Sequence, residues 1–177
     1  KTVSGFSDYV AECKPDLVVV HGDRIEALAC SLVCATNYIR CAHIEGGEVS
    51  GTIDELYRHC ISKLAYSHFV SSELAKTRLT CLGESPASIF AIGSPELDSH
   101  LTGVNTTIMQ VKDHYEINFD DYGICAFHTV TSELDTISDQ ANSLFDALVS
   151  SGKNYVVILP NNDPGSEHII GIIKNLN

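Results

Sequence analysis

The sequence predicts an α/β protein whose strands form parallel sheets. Short apolar runs of strand length alternate along the chain with longer segments that have the apolar period of helices. Stretches that contain Gly or Pro separate these segments. Repeated strand-helix-strand units of this kind imply a parallel sheet with helices on both of its faces.

The first part of the chain contains four predicted strands and three complete predicted helices. The strands are expected at residues 17–21, 40–44, 67–70 and 88–92, and the helices at residues 25–36, 53–65 and 73–82. The first strand reads as fully buried, and Gly83 is a natural end for the third helix. Residues 6–13 resemble the second half of a helix that leads into the first strand.

The pattern weakens after Asp98 and resumes near Asp120, so we place a domain boundary between them. Only a short helix near residues 108–115 is predicted in this interval. A second βαβ pattern follows, with a strand at 123–127, a helix at 132–150 and a strand at 155–159. Ser166 is the predicted N-cap of a final helix.

Composition and charge exclude several classes of function. The 177 residues are 44% hydrophobic and 19% charged, as in ordinary globular proteins. The formal net charge of -12 argues against a nucleic-acid partner, because nucleic-acid binding needs concentrated Lys and Arg. The apolar runs are too short to cross a bilayer and no signal-peptide pattern opens the chain, so no membrane partner is expected.

Cysteine usage and motif content predict a cytoplasmic protein without a metal or a cofactor. The seven Cys are odd in number, form no C-x-x-C pair and mostly lie in apolar patterns, which favours reduced core thiols. Cys30 and Cys34 are one helical turn apart but lack a second pair of zinc ligands. The motifs of zinc hydrolases, P-loop enzymes and dinucleotide oxidoreductases are absent from the sequence.

Two acidic loops follow neighbouring predicted strands. HGDR (residues 21–24) closes one strand, and HIEGGEVSGTID (residues 43–54) closes the next. The carboxyl ends of parallel strands lie at one edge of a sheet, where open α/β sheets bind their ligands. Two adjacent Gly let the backbone approach a substrate closely. These loops predict acid/base chemistry on a small polar molecule.

Asp23, Glu45 and Asp54 are the candidate catalytic carboxylates. Asp23 is equally well explained as the N-cap of the next helix. Glu45 directly follows a buried strand, where desolvation is expected to raise its pKa into a range that suits proton transfer. Glu48 is the competing acid of the same loop. Asp54 alone is better explained as a helix cap that pairs with Arg58, but three carboxylates at one sheet end favour a function.

His128 is a candidate ligand-binding residue in the second half of the chain. It closes a predicted strand within FHTVTSE, and the neighbouring hydroxyl side chains are suited to phosphate. His21 and His43 also end strands and face either the site or the core. His59 and His68 lie in or beside apolar patterns and are interpreted as structural.

At these positions the chain resembles the hydrolysing UDP-N-acetylglucosamine 2-epimerases of sialic acid and related nonulosonic acid biosynthesis. The matching stretches run in family order: HGDR (21–24), HIEGGEVSGTID (43–54), RH (58–59), GSPELD (93–98), FHTVTSE (127–133) and PNNDPGS (160–166). HIEGGEVSGTID is a highly specific match, whereas HGDR and PNNDPGS are moderately specific. Thr129 is a departure, because the family motif usually has Pro after the His.

The resemblance implies a glycosyltransferase-B-like fold, in which a nucleotide sugar binds between two Rossmann-like domains. Residues 1–100 would form the C-terminal part of the N-terminal domain, 101–119 the interdomain connection and 120–177 the N-terminal part of the second domain. Both domains are therefore expected to be incomplete in this chain. A homo-oligomer that requires no cofactor is also implied.

The activity implied by the resemblance is epimerisation with hydrolysis of UDP-N-acetylglucosamine. UDP leaves the anomeric carbon with loss of the proton on carbon 2, and hydration of the glycal-like intermediate releases N-acetylmannosamine. Asp23, Glu45 and Asp54 align with the family's catalytic carboxylates. His128 aligns with a His that contacts the diphosphate, and Arg24 and Asn161 align with nearby substrate-binding positions.

Other functions remain open at this point. A non-hydrolysing UDP-N-acetylglucosamine 2-epimerase is the nearest, although EGGEVSGTID favours the hydrolysing branch. Within that branch, UDP- or GDP-linked diacetamido sugars are alternative substrates. A non-catalytic nucleotide-sugar-binding module belongs to a different class, and the three carboxylates argue against it. They likewise give no support to a glycosyltransferase of the same fold.

We expect the isolated chain to be inactive, because the resemblance places parts of the nucleotide-binding cleft outside it. Release of UDP from UDP-N-acetylglucosamine by the purified chain is the measurement that checks this. Measurable turnover would overturn the expectation.

Overall fold

The structure, a computed structural model, describes residues 1–103 and 106–176. The chain divides into two compact units, Lys1–Asn105 and Thr106–Asn177. Each unit contains its own parallel sheet. Among the helices of the described ranges, none is long and apolar enough to cross a membrane.

The first unit is built on a four-stranded sheet with the order β1-β2-β3-β4. Its strands are β1 (Leu17–His21), β2 (Arg40–Ile44), β3 (Ser67–Val70) and β4 (Ile89–Ala91). Its helices are α1 (Thr2–Cys13), α2 (Ile25–Thr36), α3 (Ile53–Leu64), α4 (Glu73–Cys81) and α5 (Pro95–Leu101), and a 3-10 turn at Pro86–Ser88 precedes β4. All three strand pairs are parallel, so the four carboxyl ends lie at one edge.

The second unit contains a two-stranded parallel sheet. Its elements are α6 (Ile108–His114), β5 (Gly123–Ala126), a 3-10 turn (Leu134–Thr136), α7 (Ile137–Ser150), β6 (Tyr155–Ile158) and α8 (Ser166–Lys174). Gly123 is in register with Tyr155, and Ala126 is in register with Ile158. The loops that follow β5 and β6 therefore emerge next to each other.

Three buried apolar clusters hold the helices against the sheets. They consist of Val20, Cys34, Cys41 and Ile61 in the first, Val70, Ala75, Leu79 and Ile89 in the second, and Ile137, Ala141, Phe145 and Ile169 in the third. Burial of a large apolar side chain stabilises a fold by roughly 1.5–3 kcal/mol. The first two clusters fix α3 and α4 against the sheet and so position the loops at its carboxyl edge.

The predicted strands and helices are confirmed within a few residues, but the burial predicted for β1 is wrong. Leu17 and Val19 are 50% and 56% exposed, whereas Val20 is buried. Among the described residues only the Val20 side of β1 is well covered. The prediction of core thiols is also wrong for two positions, because Cys13 and Cys81 are exposed.

Two helix starts differ from the predictions, and one short helix has no predicted counterpart. The helix expected at 132–150 begins at Ile137, because a 3-10 turn occupies the residues before it. The N-cap of α8 is Gly165 in the left-handed region rather than Ser166. The sequence does not predict helix α5, because its seven residues, which begin at a Pro, are too few to show the apolar period of a helix.

The double-glycine turn after β2 lies directly against α3 and α4. A Cβ atom at Gly47, where φ is 80°, would lie 2.5 Å from the carbonyl oxygen of Ala75 in α4. A Cβ atom at Gly46 would lie 2.8 Å from the Ser62 Oγ in α3. The absence of side chains at these two positions therefore allows the acidic loop to pack at the sheet edge.

Substitution of Gly47 by Ala should destabilise the protein far more than substitution of Gly51 by Ala. Both glycines have positive φ, so both variants carry a backbone strain of about 1–2 kcal/mol. Only Gly47→Ala adds a clash with backbone, worth about 1–3 kcal/mol more, since no described heavy atom lies within 4 Å of a Cβ at Gly51. Urea unfolding of both variants measures the difference, and equal losses would contradict the packing of this loop.

Candidate active site

A polar cavity of about 280 Å³ opens at the carboxyl edge of the first sheet. Its lining residues come from the strand ends, from α3 and from α5: His21, Gly22, Asp23, Arg24, Glu45, Glu48, Arg58 and Glu96. Four of these are carboxylates and two are arginines. Ligand pockets usually measure roughly 300–1,000 Å³, so this cavity suits a small polar group such as one sugar ring. Within the described ranges, no group of three or more His, Cys, Asp or Glu could hold a metal ion.

Both oxygens of the Glu45 carboxylate are hydrogen-bonded. The Nε2 of His21 lies 2.8 Å from Oε2, and the Oγ of Ser94 donates to Oε1 at 2.8 Å. The backbone of Glu45 has a φ of 64°, and its N–H donates to the carbonyl of Phe69 at 2.8 Å. A residue other than Gly in this region costs about 1–3 kcal/mol, and such strain is often found at functional sites.

The pKa of Glu45 lies below its ordinary value. Burial raises this pKa, but the hydrogen bonds from Ser94 and His21 and the charges of His21 and Arg58 together outweigh the burial. The raised pKa predicted from the sequence is therefore wrong. The strand pattern revealed the burial of Glu45, whereas the donors come from elements distant in the sequence. Glu45 is ionised at neutral pH and is thus suited to accept a proton.

Asp23 forms an ion pair with Arg58 of α3. The Nη2 of Arg58 donates to the Oδ2 of Asp23, and its Nη1 donates to the carbonyl of Glu48 at 3.1 Å. The alternative explanation of Asp23 as a helix cap is not supported, since the N-cap of α2 is Arg24. Pairing of Arg58 with Asp54 was wrong too, because the side chain of Arg58 turns inward and is only 11% exposed.

Asp54 is not among the residues that line the cavity. It lies in the first turn of α3, whose N-cap is Thr52, and its Oδ2 accepts from the Oγ1 of Thr52 at 3.3 Å. Glu55 satisfies the backbone before this helix, since its carboxylate accepts from Ser50 N and Gly51 N at 2.7 Å each. The structure brings Asp23 and Glu45 to one cavity without Asp54, whose catalytic role stays a prediction.

A buried imidazole connects the two acidic loops. The Nε2 of His43 lies 2.8 Å from the carbonyl oxygen of Gly22, and its Nδ1 lies 3.0 Å from the Oγ of Ser62. A carbonyl only accepts, so Nε2 carries the proton and the hydroxyl of Ser62 donates to Nδ1. Burial lowers the pKa of His43 to about 4, so the ring is neutral at pH 7. This network fixes Gly22 and thereby the turn that carries Asp23.

In the second unit, the structure brings together the two predicted binding residues. The backbone N–H of Asn161, after β6, donates to the Nδ1 of His128, after β5, at 3.3 Å. A neutral His128 ring therefore carries its proton on Nε2, which suits it to donate to an anionic oxygen. The neighbouring Thr129 is nearly buried, and its hydroxyl has no hydrogen-bond partner among the described residues.

Sequence reasoning did not single out several of the residues that line or support the cavity. The sequence leaves His21 open between site and core and favours pairing of Arg58 with Asp54, and Ser94 and Glu96 occur in it only as members of the GSPELD stretch. Their signal was positional: His21 ends β1, and Ser94 follows β4 by three residues. Following every parallel strand to its carboxyl end would have identified both.

A model of the UDP-N-acetylglucosamine 2-epimerase family matches residues 1–177, which is the whole chain. The chain belongs to this family. The UDP-N-acetylglucosamine 2-epimerase of Neisseria meningitidis serogroup B is 44% identical over 169 residues, which cover 96% of this chain and 45% of that protein. The chain therefore spans about half the length of this curated relative.

Two further relatives bear on substrate and fold. The UDP-N,N'-diacetylbacillosamine 2-epimerase (hydrolyzing) of Legionella pneumophila is 36% identical over 173 residues, which cover 96% of this chain and 45% of that protein. The crystal structure of the Methanocaldococcus jannaschii UDP-GlcNAc 2-epimerase in complex with UDP-GlcNAc and UDP has a TM-score of 0.82 at 21% identity, over 98% of this chain and 51% of that chain. The predicted fold of glycosyltransferase-B type is confirmed.

Stability should fall as the pH drops from about 6.5 to about 4, partly because of His43. Its ring gains a proton in the unfolded chain below the ordinary pKa of 6.5, but stays neutral in the folded protein until about pH 4. The unfolded state binds more protons in this window, so the free energy of unfolding decreases by about 3 kcal/mol at most.

Urea unfolding between pH 4 and pH 7 measures this contribution. His43→Gln should be less stable at pH 7 and should show a shallower loss towards pH 4. His100→Asn, at an exposed position, should keep the original slope. If the free energy of unfolding of His43→Gln falls with pH as steeply as that of the wild type, His43 does not cause this part of the pH dependence.

Proposed function

We propose that this protein is a hydrolysing UDP-N-acetylglucosamine 2-epimerase. It would convert UDP-N-acetylglucosamine, or a related nucleotide-linked acetamido sugar, and water into N-acetylmannosamine and UDP. The observation that carries the proposal is the cavity at the sheet edge, where the ionised Glu45 lies beside the Asp23–Arg58 ion pair. Membership of the family and the hydrolysing relative from Legionella support it.

The chemistry divides into an elimination and a hydration. In the elimination, a carboxylate takes the proton from carbon 2 while the bond from the anomeric carbon to UDP breaks, which leaves a glycal. In the hydration, water adds its hydroxyl to the anomeric carbon, and a proton returns to carbon 2 on the opposite face. We assign these proton transfers to Asp23, Glu45 and Asp54 as a group.

Binding of the diphosphate falls to positively polarised groups. We assign this role to Arg24, whose side chain lines the cavity, and to His128 and Asn161 in the second unit. Such donors stabilise the negative charge that develops on the departing UDP. The UDP-GlcNAc held by the Methanocaldococcus relative supports a nucleotide sugar as the ligand. We further propose a cytoplasmic homo-oligomer that acts in sialic or related nonulosonic acid biosynthesis.

A non-hydrolysing epimerase is the second candidate. The name of the Neisseria relative, which is the more similar of the two curated proteins, carries no hydrolysing designation. In that case the same carboxylates would act, but UDP would add back to the intermediate in place of water. The product would then be UDP-N-acetylmannosamine.

Proton NMR of the full-length protein with UDP-N-acetylglucosamine in deuterium oxide separates these candidates. We expect free N-acetylmannosamine with deuterium at carbon 2, together with UDP. UDP-N-acetylmannosamine without free sugar would favour the non-hydrolysing enzyme. If the spectrum does not change, the substrate is a different nucleotide sugar or the protein is a binding module, and a UDP-linked diacetamido sugar is tested next.

Glu45→Gln should lower kcat at least about 100-fold, because removal of a general acid/base group typically costs 10²–10⁴-fold. The matched control is Glu12→Gln, which removes a carboxylate at an exposed position of α1. Steady-state release of UDP measures both variants. Wild-type turnover in Glu45→Gln would remove Glu45 from the catalytic group.

A further inference from the structure

All four strands of the first sheet contribute to the placement of Glu45. The residue itself follows β2, and its backbone N–H is bound by Phe69 of β3. Its two carboxylate oxygens are bound by His21 at the end of β1 and by Ser94 after β4. Both carboxylate oxygens of Glu45 are therefore bound from the ends of strands other than its own.

We propose that His21 and Ser94 are positioning residues that hold the Glu45 carboxylate by its two oxygens, and that Glu45 held in this way is the base that removes the proton from carbon 2. This inference rests on the proposed function, since it assigns one step of that reaction. It adds the identity of the base and the two residues that prepare it.

The chemistry of the two donors favours the ionised carboxylate. A hydroxyl that donates to Oε1 and an imidazole that donates to Oε2 both need an acceptor, and protonation of either oxygen would use up an acceptor position. Two donors occupy two of roughly four lone-pair positions, so the carboxylate retains free positions for the substrate's proton. The left-handed backbone of Glu45 and its bond to Phe69 limit rotation of the residue away from the cavity.

The other carboxylates of the cavity are less suited to this role. Asp23 is paired with the permanent cation of Arg58, so a guanidinium donor already occupies one of its carboxylate oxygens. Glu48 lies 3.4 Å from a guanidinium nitrogen of Arg78, and Glu96 is exposed. The donors to Glu45 are a neutral hydroxyl and an imidazole, so this carboxylate is oriented without a permanent ion pair of its own.

The charged groups that face Glu45 come from several elements, and their charges also influence the pKa of Glu45. Asp23 and Arg24 precede α2, Arg58 lies on α3, Glu48 lies in the loop after β2, and Glu96 lies on α5. The carboxylates disfavour ionisation of Glu45 and the arginines favour it. Substitutions at Ser94 leave all of these groups in place, so a change in titration reports the hydroxyl donor, whereas a substitution at His21 removes both a hydrogen bond and a charge that favours ionisation of Glu45.

The test titrates Glu45 directly in the full-length protein. Glutamate labelled with ¹³C at the carboxyl is incorporated, and the Glu45 signal is identified by its loss in Glu45→Gln. Ser94→Ala and His21→Ala should each raise the titration midpoint of Glu45, by on the order of one unit. The acidic limb of the kcat/KM profile should move to higher pH by the same amount, with a larger effect on kcat than on KM near that limb.

Conservative variants and matched controls separate orientation from general disruption. Ser94→Thr and His21→Gln keep a hydrogen-bond donor. In these variants the titration midpoint of Glu45 should therefore stay close to that of the wild type. Ser88→Ala removes a serine whose hydroxyl bonds to the carbonyl of Ser85 before β4, and His100→Asn removes an exposed imidazole. Both controls should leave the Glu45 titration and the pH profile unchanged. Circular dichroism confirms that each variant is folded.

The titration of Glu45 and the pH profile of kcat/KM test separate parts of the proposal. If the Glu45 signal does not move in Ser94→Ala and His21→Ala, the positioning role is wrong whatever the enzyme does. If the signal moves but the acidic limb does not, Glu45 is not the base, while formation of free sugar would still support the proposed function. If the wild type turns over no nucleotide sugar, the proposed function and the base assignment both fail, and the titration alone decides the positioning role.

Discussion

The site of the first unit depends on the buried hydrogen bonds of His43. This imidazole belongs to β2, and it is hydrogen-bonded to the carbonyl of the turn after β1 and to the hydroxyl of Ser62 in α3. Each of the three elements is a source of a cavity residue: Asp23 from the turn, Glu45 from the end of β2 and Arg58 from α3. Since the ring is neutral and completely buried, it can connect them without the desolvation cost of a charge.

Charge in the cavity is concentrated but compensated. The acidic groups would repel one another and a diphosphate if they stood alone. Arg58 forms an ion pair with Asp23 in the first acidic loop and a hydrogen bond with the backbone of Glu48 in the second. One cation therefore connects the two acidic loops. The consequence is an arrangement in which Glu45 remains ionised although it is partly buried, which suits a proton acceptor better than a proton donor.

Both units use the same structural solution. In each sheet, parallel pairing places the loops after adjacent strands side by side, and polar side chains occupy these loops. In the second unit His128 and Asn161 follow adjacent strands and contact each other, and in the first unit His21 at the end of β1 contacts Glu45 after β2. The loops after strands, rather than the helices, thus carry most of the candidate functional groups.

Local sequence was sufficient to predict the α/β class, most element positions and the acidic loops, because period, strand length and Gly positions are local properties. It was also sufficient to identify Asp23 and Glu45 as strand-end carboxylates. Tertiary structure decided which groups meet: Arg58 binds Asp23 rather than Asp54, which is four residues away on the same helix.

It likewise reversed the expected direction of the Glu45 pKa, since His21 and Ser94 are separated from Glu45 by 24 and 49 residues. Hydrogen bonds across such distances depend on strand order and register, which no local pattern encodes. The sequence by itself therefore determined the fold class and the candidate residues, and only the tertiary structure decided their partners and their charge states.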